Sequence, residues 1–213
     1  VAALQASRSQ LIRGTEILKE MIIDVMDMIY TDDMKKMSSI ADNEDTINIM
    51  QKDLTKYIVE LSRKELTESQ SIMVPAMISS INNIERSGDR VIEIASLYQK
   101  KVDGNLSFTD DAIGELKEIE ETIIEMFDNT MITLREKDEE TIRKIVDLEN
   151  KVDDMSEEFQ ENHIRRLNEG VCNVDSGVLF IDMVGHLERI ADHIYKIAMY
   201  TKDELFGQKR KYQ

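Results

Sequence analysis

Apolar residues recur at intervals of three and four along nearly the whole chain, which is the spacing of amphipathic helices. Together with the turn and capping residues between them, this pattern predicts six long helices, over about residues 3–29, 33–65, 67–101, 107–135, 139–169 and 174–202. Helices of about 30 residues are much longer than the globular average, and such lengths are typical of helical bundles.

The breaks between the helices carry recognisable end signals. Residues 67–70 have the form of a capping box, in which a hydroxyl and an amide three residues later satisfy free backbone N–H groups. Gly104 ends the third helix, since glycine is the common residue just past a helix C-terminus. The helical pattern then begins again in the acids and hydroxyls of residues 107–110.

The pattern after this break repeats the pattern before it. Residues 81–97 and 183–200 carry the same sequence motif, a repeated phrase in which Glu85 aligns with Glu188 at an offset of 188 − 85 = 103. An earlier phrase around Glu44 recurs 105 residues later. We expect the two-residue difference to lie in the turn between the second and third helices of each half.

The duplication predicts how the chain is organised. Hydrophobic residues make up 41% of the sequence, enough for a substantial core, and short connections make neighbouring helices antiparallel. We therefore predict an all-α fold of two tandem antiparallel three-helix bundles, residues 1–104 and residues 105–213.

Charge narrows the kinds of partner. The net charge is -16, which argues against nucleic acid and anionic membrane surfaces and favours metal cations or a basic protein face. No apolar run approaches the ~18 residues that span a bilayer, so we expect no direct membrane insertion. Cys172 is the only cysteine, which excludes an internal disulfide and is compatible with a reducing compartment.

Paired acids flank the apolar stripe of the repeated phrase. Glu188 and Asp192 are one helical turn apart, and Glu85 and Asp89 form the matching pair in the first half. Such a pair beside a core favours a cation. In a chain with 43 acidic residues, a solvated helix face or pairing to arginines, Arg86, Arg90 and Arg189, is the alternative.

A second set of acids lies on the preceding helix of each half. Glu149 falls within the apolar stripe of the fifth helix, with Asp153 one turn later, and Glu44 holds the matching place in the second helix. Asn48 stands where the other half has Asp153. A buried carboxylate needs a compensating partner, and oxygen-only ligands favour hard cations, so these positions are candidate metal ligands.

Other chemistry is sparse in the sequence. The three histidines, His163, His186 and His193, are expected to be ordinary polar surface residues. No Glu-x-x-His pair is present, which disfavours an oxygen-activating di-iron enzyme, and neither a nucleophile elbow nor a phosphate-binding loop occurs.

The repeated Glu-Arg-x-x-Asp phrase, at residues 85–89 and 188–192, resembles the PhoU family of phosphate-uptake regulators. The likeness covers nearly the whole chain. It implies a non-enzymatic regulator that carries a multinuclear metal cluster, with iron expected and Mg, Mn or Zn as alternatives. The ligands implied by the resemblance are Glu44, Glu85, Asp89, Glu149, Asp153, Glu188 and Asp192. Asn48 departs from the family pattern, which weakens the site that uses the second helix.

A finer resemblance concerns residues 162–170 and 175–177, which are similar to the cytoplasmic PhoU-like domain of bacterial sodium/phosphate cotransporters. It implies a cytoplasmic domain tethered to the inner face of the membrane through an N-terminal membrane domain, and the initial Val1 agrees with an excised domain. The alternatives are a free-standing regulator of a phosphate ABC transporter and its sensor kinase, and a purely structural bundle. The expected partners are accordingly a transporter membrane domain or a sensor kinase, and long amphipathic helices are compatible with a homodimer.

Overall fold

The fold is all-α, as the sequence predicts. A computed structural model describes residues 2–211, and within them six α-helices and two short 3-10 turns form without any strand. The helices are α1 (Ala2–Thr31), α2 (Met37–Ser62), α3 (Glu68–Asp103), α4 (Asp110–Arg135), α5 (Glu139–Asn168) and α6 (Val174–Tyr200).

Side-chain caps set the starts of most of these helices. The capping box at Thr67 is confirmed: its hydroxyl accepts a bond from the Gln70 N–H, while the Gln70 side chain accepts one from the Thr67 N–H. The starts of α4, α5 and α6 are capped more simply, by Thr109, Asp138 and Asn173. In each case one side-chain oxygen accepts hydrogen bonds from backbone N–H groups of the first turn.

The two halves were expected to differ by two residues in the turn between their second and third helices. This prediction is wrong, because the two turns have equal lengths. Residues 63–67 join α2 to α3 and residues 169–173 join α5 to α6. The difference lies mainly at the helix starts, because Glu85 follows the start of α3 by 85 − 68 = 17 residues and Glu188 follows the start of α6 by 188 − 174 = 14.

Three helices from each half share one core. α3 packs along α6 and α1 packs along α4, while α2 and α5 lie outside these central helices and contact them. The buried apolar side chains of all six helices form one cluster, with Tyr98, Phe127 and Phe180 among its largest members. The predicted boundary near residue 104 falls in the connection between α3 and α4; a division into separate domains stays a prediction.

None of the helices within residues 2–211 combines the length and the apolar character that crossing a bilayer requires.

Candidate functional site

The second half gathers the predicted acids of α5 and α6 into one group, here called the second carboxylate cluster: Glu149, Asp153, Glu188 and Asp192. The charge of Asp153 acts on the carboxyls of both Glu149 and Glu188, so the acids of the two helices lie near one another. Glu149, Glu188 and Asp192 are half-buried, and Asp153 is exposed at the outer edge.

Burial and mutual repulsion act on these carboxyls together. Burial first, and then the charge of Asp153, raise the pKa of Glu149 from 4.5 to about 7. The same two causes, in the same order, raise the pKa of Glu188. The cluster therefore holds a proton at neutral pH more readily than ordinary glutamates do, because it concentrates negative charge where water is partly excluded.

The first half brings together the corresponding acids of α2 and α3, here called the first carboxylate cluster: Glu44, Glu85 and Asp89. Burial, the neighbouring Asp89 and the more distant charge of Glu44 raise the pKa of Glu85. Asn48 donates a hydrogen bond of 2.7 Å to Glu44, at the position where α5 carries Asp153. The amide thus supplies one donor in place of a second repelling charge.

Few of the seven acids are neutralised by a neighbouring cation. Arg189 Nε lies 3.9 Å from Glu188 Oε2, and Lys196 Nζ lies 3.2 Å from Asp192 Oδ2. Within residues 2–211, no ion pair reaches the other five: Glu44, Glu85, Asp89, Glu149 and Asp153. Salt bridging, one alternative explanation of these acids, accounts for the α6 pair alone. The other alternative, a solvated helix face, fits Asp89 and Asp153, whose side chains are exposed.

The donor atoms of the two clusters suit a metal ion, but their arrangement in this structure does not. Their donors are all oxygens, which suit hard cations. Across the described part of the chain, however, no three His, Cys, Asp or Glu side chains are arranged so that they could hold a metal ion. Binding a cation would require these carboxyls to be deprotonated and to move closer together.

The histidines are not the surface residues that the sequence suggested. His163 is only 2% exposed, because it packs between α5 and α6 with its ring 5.4 Å from that of Phe180. His186 and His193 are half-buried where α3 meets α6. Their Nδ1 atoms lie 3.0 Å from Glu93 Oε2 and 2.9 Å from Asn83 Oδ1, respectively, so both link the two halves.

A buried ion pair near the connection between α5 and α6 was missed by the sequence analysis. Arg166 Nη2 lies 2.6 Å from Glu115 Oε1 on α4, and Asn162 donates a bond of 2.9 Å to the other oxygen of Glu115. A signal was present: Arg166 continues the seven-residue series of Val152 and Phe159 on the apolar face of α5. A charge on that face predicts a buried partner.

The comparisons with known proteins agree in both sequence and shape. The family model described as PhoU domain matches residues 11–97 and 116–201. PhoU from Pseudomonas aeruginosa superposes with a TM-score of 0.86 at 19% identity, over 94% of this chain and 95% of that chain. The phosphate transport system regulatory protein PhoU from Streptococcus pneumoniae gives 0.82 at 17% identity, over 93% and 94%. No curated protein matches this chain significantly in sequence. At these identities the solved structures show a shared fold.

Proposed function

Because this chain belongs to the PhoU domain family, we propose that it is a non-enzymatic regulator of phosphate transport. The observation that carries the proposal is the family match in both halves, over residues 11–97 and 116–201, which include all seven predicted acids. The regulator acts through contacts with a transporter or its sensor, because the molecule presents helical surfaces rather than a group of catalytic residues.

The carboxylate clusters are the proposed cation sites of this regulator. Five of the seven acids lack an ion pair among the described residues, and burial raises the pKa of Glu149 to about 7. A bound cation would supply the positive charge that these carboxyls lack. Iron in a multinuclear cluster is the expected metal, with Mg, Mn or Zn as alternatives. The second cluster is the stronger site, because Asn48 removes one charge from the first.

Two settings are compatible with this function. The likeness in fold to PhoU from Pseudomonas aeruginosa is compatible with a free-standing regulator of an ABC transporter and its sensor kinase. The phrasing of residues 162–170 and 175–177 favours the cytoplasmic domain of a sodium/phosphate cotransporter. An immunoblot of the host cell separates them: a band near 24.6 kDa supports the first, and a much larger band in the membrane fraction supports the second.

Phosphate uptake tests the function itself. We expect that deleting the coding region of this chain in its host changes the rate of radiolabelled phosphate uptake, or the dependence of that rate on external phosphate. Restoring the chain should restore the wild-type response. An unchanged uptake curve, at both limiting and abundant phosphate, would contradict the proposed function.

A further inference from the structure

Exposed aliphatic side chains concentrate at one end of the second half. Four of the five most exposed large hydrophobic residues of the described chain lie within residues 164–178. They form what is here called the hairpin patch: Ile164 (52% exposed), Val171 (58%), Val174 (66%) and Val178 (54%). Single exposed aliphatics are ordinary on a protein surface, but a group of four is not.

The backbone places the three helical members, Ile164, Val174 and Val178, on the same side of the hairpin formed by α5 and α6, and Val171 lies in the connection at the end of that hairpin. His163 and Gly177 face each other so closely that Gly177 has no room for a Cβ. Each residue along a helix turns by about 100°, and the two helices run in opposite directions. Ile164 and Val178, which follow this facing pair, therefore emerge on the same side of the hairpin. Val174 lies one turn from Val178 on that face.

The residues beneath the hairpin patch are held in place by contacts with α4 and α6 and within the connection. The buried Glu115–Arg166 ion pair ties α5 to α4, and the Arg166 guanidinium lies 5.5 Å from the centre of the Phe180 ring on α6. The Val171 N–H donates to the Arg166 carbonyl at 3.1 Å, which fixes the turn after Gly170. A rigid apolar surface loses little conformational entropy on binding, as suits a docking site.

Acidic residues flank the members of the patch along α5, α6 and the connection between them. The exposed charged side chains next to its members are four acids and one base: Glu161, Glu169, Asp175, Asp182 and Arg165. None of the four acids forms an ion pair with another described residue. An apolar surface with an acidic rim is complementary to a segment with one apolar face and flanking Lys or Arg.

The equivalent end of the first half differs in both respects. Val59 is exposed there, but its exposed charged neighbours are mixed: the bases Lys56, Arg63 and Lys64, and the acids Glu60 and Glu65. The acid-rimmed apolar surface is thus a property of the second half and not of the repeated fold.

We propose that the hairpin patch is the docking surface for a basic amphipathic helical segment of a partner protein. Cytoplasmic loops of membrane proteins carry an excess of Lys and Arg, so such a segment on a phosphate transporter fits this surface. Only that assignment to a transporter rests on the proposed function. The chemistry of the surface does not depend on it.

A synthetic peptide tests the surface directly. The probe is a fluorescein-labelled amphipathic helix of leucine and lysine, titrated with the full chain at physiological salt and followed by fluorescence anisotropy. We expect saturable binding to the wild-type chain, weakened at least about tenfold in the double variant Val174→Ser/Val178→Ser, because this variant lacks the two valines that the peptide would cover. The matched control is Val59→Ser/Val102→Ser, which also removes two exposed valines and should bind as the wild type does.

Several results would overturn the proposal. Equal affinity of all three proteins would mean that the peptide binds through net charge alone, and absence of binding to the wild type would mean that the surface does not take a basic helix. Sedimentation of the same proteins detects another occupant: a wild-type dimer that Val174→Ser/Val178→Ser converts to monomer would assign the patch to a second copy. Flotation of the wild-type chain with zwitterionic vesicles, lost in that variant, would assign it to a lipid surface. Phosphate uptake is not a readout here, so the outcome is independent of the test of the proposed function.

Discussion

At the scale of single residues, the charge of a carboxyl group depends on what faces it. Glu44 and Glu149 occupy matching positions, yet Glu44 accepts a hydrogen bond from Asn48 whereas Glu149 meets the charge of Asp153. The positions of these acids could be predicted from the spacing of apolar residues. The proximity of acids on different helices could not be predicted, because it depends on the position of α5 relative to α6 along their axes.

The raised pKa of Glu149 predicts a pH dependence of stability in metal-free protein. A carboxyl whose folded pKa lies above its unfolded value favours the folded state when protonated, so its contribution is lost as pH rises from about 4.5 to about 7. We expect the free energy of unfolding to fall by on the order of 1 kcal/mol across this window, a figure reduced for partial solvent exposure. Urea denaturation of Glu149→Gln should show a smaller fall, and the exposed control Glu157→Gln should follow the wild type.

Two glycines of α6 predict opposite effects of an added methyl group. Gly177 faces the buried His163 ring, so Gly177→Ala forces that ring out of its packing and should lower stability by about 1–3 kcal/mol. Gly185 has no neighbour within 4 Å of a new Cβ, so Gly185→Ala should raise stability by about 0.5–1 kcal/mol through helix propensity. Thermal denaturation of both variants checks the pair, and a loss of equal size in both would contradict the packing described here.

At the scale of elements, the helix boundaries follow closely from capping residues, while the contacts between helices do not. The predicted start of α3 at the Thr67 capping box and its end at Gly104 agree with the structure, since local side chains determine both. The Glu115–Arg166 pair joins residues 166 − 115 = 51 positions apart, and no local pattern specifies such a partner. Long-range pairs of this kind decide how the hairpin of α5 and α6 is held.

This pair predicts a large effect of removing one partner. Glu115→Ala leaves the Arg166 charge buried without a counter-ion, and we expect a loss of about 3 kcal/mol in the free energy of unfolding. Glu118→Ala, on the exposed face of the same helix, is the control and should change stability little. If chemical denaturation gave similar values for the two variants, the ion pair would have no structural role.

At the scale of the whole molecule, duplication supplies two clusters of acids on one helical frame, and one substitution distinguishes them. We expect Asn48→Asp to give the first cluster the acid pair that Glu149 and Asp153 provide in the second. Metal-free Asn48→Asp should be less stable than the wild type because of the added repulsion, and calorimetric titration should show tighter or additional binding of a divalent cation. Unchanged titration curves would show that the residue at position 48 does not affect metal binding.

We propose that these duplicated carboxylates take up cations. Elemental analysis of protein purified without chelator, compared with Glu188→Ala and Asp192→Ala, tests it most directly. We expect bound metal in the wild type and a clear loss in both variants, with the fold of each variant retained by circular dichroism. Equal metal content in all three proteins, or none in the wild type, would contradict it.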